Sequence, residues 1–177
     1  MRDVAQAAGC STAIVSHYFH NKRELLLFTY RHVIEAASAL GAEALGPGGG
    51  DLKAYIAALL PFDDERRMNW KIWFAFWAKA IADEEFAEIQ RNCVRRTRAE
   101  IQHILDELYL DGRLIAGLDR ALEARRLLVL IMGLAVQVVF DTDDWAVGRQ
   151  VAFVEAELRS VLRPLGASPE LASQNAE

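Results

Sequence analysis

Trp70, Trp73, Phe74, Phe76 and Trp77 put five aromatic side chains within eight residues and include three of the four tryptophans in the chain. Indole faces are electron-rich, and a desolvated quaternary ammonium gains about 0.5 to 2 kcal/mol from each ring it touches. Trp70, Phe74, Trp77 and Ile81 recur at i, i+4, i+7 and i+11, the spacing of one helical face. That spacing equally describes an ordinary packed core. Tyr55, Tyr109 and Trp145 are candidates for a second wall. The chemistry on offer is capture of a cationic or aromatic small molecule, not bond making.

A second group of polar side chains lies near the start. Residues 2–22 read as a helix, a turn at Gly9 and a second helix that Ser11 is suited to cap. Gly9 stands where a left-handed turn residue is wanted. At about 100° per residue, Val15 and Phe19 share one face of the second helix and Ala13 and His17 the opposite one. Thr12, Ser16 and His17 offer short donors and acceptors to base edges, and Ala13 permits close approach and contact with a thymine methyl. Tyr18 and Lys22 suit phosphate oxygens, and Asn21 can cap a third helix whose N-terminus favours an anion. The same layout also describes a plain helical corner.

The run Asp3-Val4-Ala5, Ala8-Gly9, Ser11, His17-Tyr18-Phe19, Lys22 and Leu25 resembles the N-terminal domain of the tetracycline-repressor (TetR) family. Residues 11–19 and 73–80 are similar to its choline-responsive, BetI-like branch, and the resemblance spans residues 1–162. It implies a one-component regulator, a repressor that reads a palindromic double-stranded DNA operator as a homodimer and is released by a choline-like effector. The family has one further helix before this pair. Met1-Arg2-Asp3-Val4-Ala5 reads as the middle of a domain, so a late start is expected. The alternative is a ligand-binding or interaction protein on the same scaffold that has lost DNA binding. A small all-α enzyme using the aromatic cavity is a third reading.

The elements that must position these residues are all helical, since no period-two alternation appears. Helices are expected over 21–45, 51–60, 63–82, 84–110, 119–140 and 145–162, with a flexible loop at 46–50 and a disordered tail at 164–177. The expected division is a DNA-binding unit at 1–45 and a ligand-binding and dimerisation domain at 46–163. Leu127, Ile131, Leu134 and Val138, with Val151, Val154 and Leu158, form two apolar stripes expected at a dimer interface.

Composition bounds the alternatives. The chain has 177 residues, 53% of them hydrophobic, and a net charge of −5. Its first 32 residues carry a net +2, so the positive end coincides with the reading helix. No apolar run reaches the length of a membrane span, and a reduced cytoplasm is the expected setting. Cys10 and Cys93 match no metal or redox spacing, and Asp141, Asp143 and Asp144 read as a loop and N-cap. Arg91, Arg95, Arg96 and Arg98 read as a solvated face paired with neighbours such as Glu88 and Glu100. No nucleophile has an obvious base, so neither catalysis nor a cofactor is expected.

Overall fold

A computed structural model describes residues 1–45 and 51–163, and every regular element among them is a helix. In order these are α1 (Arg2–Ala7), α2 (Thr12–Tyr18), α3 (Lys22–Leu45), α4 (Leu52–Leu59), α5 (Asp64–Ala82), α6 (Glu84–Leu110), α7 (Arg120–Phe140) and α8 (Val147–Leu158). The expected loop at 46–50 and tail at 164–177 lie outside the described residues.

Short polar side chains set most helix starts by accepting amide protons that have no partner inside the helix. Ser11 Oγ accepts from the amide of Ile14 at 3.3 Å, Asn21 Oδ1 from Glu24 at 2.9 Å, Asp51 from Ala54 at 2.9 Å and Asp63 from Arg66 at 2.8 Å. Glu24 in turn accepts the His20 amide at 2.8 Å, so the α2–α3 junction is closed from both sides. Gly9 adopts φ +63°, which lets the Cys10 amide reach the Ala5 carbonyl at 2.9 Å and turns the chain from α1 into α2.

Two apolar cores follow. The smaller joins Leu27, Tyr30 and Ile34 of α3 to Phe76 of α5 and to Phe86 and Cys93 of α6. The larger is built from α4, Trp70, the second half of α6, α7 and α8. Trp73 packs against both. Arg23, near the start of α3, bonds both Asp83 oxygens at 3.1 and 2.9 Å and Glu85 at 2.6 Å, tying α3 to the α5–α6 corner. These bonds hold the Asp83 carboxyl below its ordinary range.

Three expectations change. The last helix runs from Val147 to Leu158, not over 145–162, because Leu162 pairs with Leu114 as an isolated antiparallel bridge. The Ile115 amide there reaches the Val161 carbonyl at 3.0 Å, which pulls the chain out of helix. The acidic run forms the expected loop, but the N-cap position of α8 is Ala146, which supplies no side-chain cap. The third change concerns the apolar stripes: Leu127, Ile131, Leu134, Val138, Val154 and Leu158 are 0 to 4% exposed within the single chain, and Val151 is half-buried. Their stripe completes the chain's own core, because α7 faces α5 and α6 while α8 lies on α4.

Nothing stands within 4 Å of a Cβ placed on Gly9, so the cost of Gly9→Ala is backbone strain alone, about 1 kcal/mol. Amide exchange in residues 2–18 should quicken about fivefold in that variant while α7 is unchanged. Equal exchange in both proteins would contradict the turn's role.

Candidate functional site

The exposed face of α2 carries Thr12, Ala13, Ser16 and His17, with Tyr18 and Lys22 exposed just beyond. Ser11 is spent on the cap. Val15 is buried beneath, and the Phe19 ring lies 5.3 Å from Phe28 of α3, so the base of α2 is fixed to the long helix. The expected division of α2 into an inner and an outer face is what the geometry shows.

The aromatic residues divide differently. Trp70 and Trp73, with ring centroids 4.7 Å apart, line a cavity of about 50 Å³. Tyr55 of α4, Cys93 and Glu100 of α6 and Met132 of α7 line it too, and α3 contributes a wall from Val33 to Leu40. Both indole N–H groups are already paired: Trp70 donates to the carbonyl of Leu59, itself a lining residue, at 2.9 Å, and Trp73 donates to Gln90 Oε1 at 2.8 Å.

Phe74, Trp77, Tyr109 and Trp145 do not line this cavity. Phe74 and Trp77 meet each other edge-on at 5.1 Å, Trp145 meets Phe153 at 5.6 Å, and Tyr109 is 58% exposed beneath the Arg120 guanidinium. Trp70, Phe74 and Trp77 do share a face, with Trp70–Phe74 and Phe74–Trp77 centroids 5.4 and 5.1 Å apart, but of these three only Trp70 lines the cavity, because α3, α6 and α7 all pack on this helix. Its aromatics occupy about half of its circumference and are all buried or half-buried, while Ile81, expected on the same face as Trp70, is 89% exposed.

The negative charge in the cavity comes from Glu100 of α6. Tyr55 donates to Glu100 Oε2 at 2.6 Å, and burial together with that carboxylate pushes the phenol far above its ordinary range, keeping it a neutral donor. Burial likewise raises the Cys93 thiol, which therefore stays protonated. Arg66 also lines the cavity, but its guanidinium is held by Asp63 at 2.7 Å and the Ala57 carbonyl at 3.0 Å. Among the described residues Glu100 makes no ion pair, and it lines the cavity together with Trp70 and Trp73. In sequence, Glu100 reads as a surface partner of its neighbouring arginines. Its contact with Tyr55, 45 residues away, leaves no local signal. Among the described residues no cluster of His, Cys, Asp or Glu could hold a metal ion, and no helix is long and apolar enough to cross a membrane.

Residues 50–163 match a family model described as BetI-type transcriptional repressor, C-terminal. The HTH-type transcriptional regulator BetI of Paraburkholderia phymatum is 30% identical over 138 residues, 64% of this chain and 70% of that protein. BetI of Burkholderia mallei is 36% identical over 107 residues, 57% and 54% of the two chains. Across the first such relatives, the chain spans between 47% and 76% of their length. A transcriptional regulator from Saccharomonospora viridis, solved in complex with choline, superposes with a TM-score of 0.84 at 20% identity, covering 92% of this chain and 86% of that one. A regulator from Rhodococcus sp. Rha1 gives 0.77 at 24% identity, covering 90% and 85%. These two likenesses show the fold, and the match over 50–163 shows the family. The chain belongs to the BetI-type branch of the TetR-family transcriptional regulators, which are regulators and not enzymes.

Proposed function

We propose that this chain is a ligand-responsive repressor that reads a palindromic operator as a homodimer through the outer face of α2 and is released by a small quaternary ammonium compound such as choline. The observation that carries the reading is Glu100 set beside Trp70 and Trp73 in a cavity that α3 helps to line. An anionic group and two indoles form a cation site, and α3 joins that site to the reading helix.

The cavity's size supplies a mechanism. At about 50 Å³ it is far smaller than the roughly 150 Å³ void that accepts a benzene-sized guest. A guest must therefore widen it, and one wall is α3. A ligand that fits only the widened state stabilises that state by its differential affinity, so α3 and the head formed by α1 and α2 move as it binds. The choline held by the Saccharomonospora viridis regulator supports this ligand class.

The dimer face lies on the outward line of α7. Leu122, Val129 and Phe140 are 54, 69 and 82% exposed, and Gly133 sits between them with open space above it. Gly148, Ala152 and Ala156 give α8 a small-residue outer face. Together they suit close helix packing across a two-fold axis, in place of the buried stripes.

Choline should bind more tightly than its neutral isostere 3,3-dimethylbutan-1-ol, as read by calorimetry. Glu100→Gln should weaken choline alone by about tenfold or more, the loss of one Coulomb attraction in a partly desolvated site. Equal affinity for the two compounds would end the cation reading. Val129→Asp should give a monomer by sedimentation and, with it, loss of binding to the DNA upstream of the gene. A dimer that persists in this variant would move the interface elsewhere.

A further inference from the structure

Gln90 stands outside the cavity yet touches both the cavity and α3. Its Oε1 accepts from the Trp73 indole at 2.8 Å and from the Tyr30 hydroxyl, so the two lone pairs of one oxygen are both used. Trp73 lines the cavity and packs against both apolar cores. Tyr30 is 0% exposed, stacked on Phe76 at 4.5 Å, and among the described residues its hydroxyl has no other acceptor.

We propose that Gln90 is a positioning residue through which the placement of Trp73 sets the seat of Tyr30, and thereby the angle at which α3 carries the reading helix. The proposal rests on the cavity being the effector site. A guest pressing on the Trp73 ring turns its N–H, and Gln90 must follow it or lose it. If Gln90 follows, the Tyr30 hydroxyl is left dry and unpaired unless α3 shifts with the amide. An unpaired buried donor is costly, so the shift of α3 is the cheaper response. The side chain works as a shared acceptor, and any group that accepts two hydrogen bonds at that point should serve.

The test uses three variants of the full chain. Gln90→Met keeps the length and removes the acceptor, Gln90→Glu keeps an acceptor, and Tyr30→Phe removes one donor while retaining the ring stack. In nitrogen-15 NMR spectra of the free protein, the Trp73 indole N–H should shift more than those of Trp70, Trp77 and Trp145 in Tyr30→Phe and Gln90→Met. In Gln90→Glu it should keep a hydrogen-bonded position. Choline affinity by calorimetry should stay within about threefold in all variants. The ratio of operator affinities without and with saturating choline should fall about fivefold or more in Gln90→Met and recover in Gln90→Glu. A purely structural role would lower stability and affinity together without rescue by glutamate. An unmoved Trp73 resonance in Tyr30→Phe, or an unchanged ratio in Gln90→Met, overturns the relay. If the wild-type chain binds neither choline nor operator, the effector and operator readings fall, and the Trp73 resonance alone then decides for or against the relay.

Discussion

Tyr30 has to be dry and hydrogen-bonded at once, and the position of α3 depends on meeting both conditions. Its ring forms a cluster with Phe76 and Phe86, with centroids 4.5 and 6.0 Å away, and its residue exposure is 0%. Burial pushes the hydroxyl up to about 12, so it remains a neutral donor throughout the physiological range. Gln90 satisfies that donor. Because a buried hydroxyl without a partner costs on the order of 1 to 3 kcal/mol, α3 cannot rotate or slide freely on α5 and α6. Arg23, seven residues nearer α2, adds a second, solvent-facing tie to Asp83 and Glu85. It is exposed and open to screening by salt, so the buried tie sets the position and the ionic one restrains the end.

That seat explains how a small cavity in the body can bear on a helix near the chain's start. The cavity touches α3, α4, α5, α6 and α7, but only α3 leads directly to α2, through Asn21 and the Phe19–Phe28 contact. Gly41 allows α3 to lie against Tyr55, where an added Cβ would stand 3.0 Å from the ring. Tyr55 in turn holds Glu100. Trp73 and Glu100 are therefore each one hydrogen bond from a residue in contact with α3, Gln90 in one case and Tyr55 in the other.

Helix starts were legible in the sequence because capping is local. Ser11, Asn21, Asp51 and Asp63 each act on an amide three residues ahead. The turn at Gly9 and the inner and outer faces of α2 were legible for the same reason. Periodicity could not say what covers an apolar stripe. Leu127, Ile131, Leu134 and Val138 have the spacing of an interface and of a core alike, and the chain's own α5 and α6 occupy that face. Aromatic clustering located the cavity near Trp70 and Trp73 but not its limits, since a helix packed from several sides hides aromatics that bind nothing. Glu100 and Gln90 left no signal, because on an amphipathic helix both look like solvated positions and their partners lie 17 to 60 residues away.

The central claim is that a guest in the Trp70–Trp73 cavity moves the head relative to the body. Cys10 lies beside α2 and is partly exposed, whereas Cys93 is buried, and Leu110 at the far end of α6 is 82% exposed. A pulsed electron resonance measurement between spin labels at Cys10 and at Leu110→Cys, in a Cys93→Ser background that still binds choline, reports that displacement within one chain. The account predicts a distance distribution that shifts when choline saturates the site. A distribution that stays the same with choline bound would contradict it.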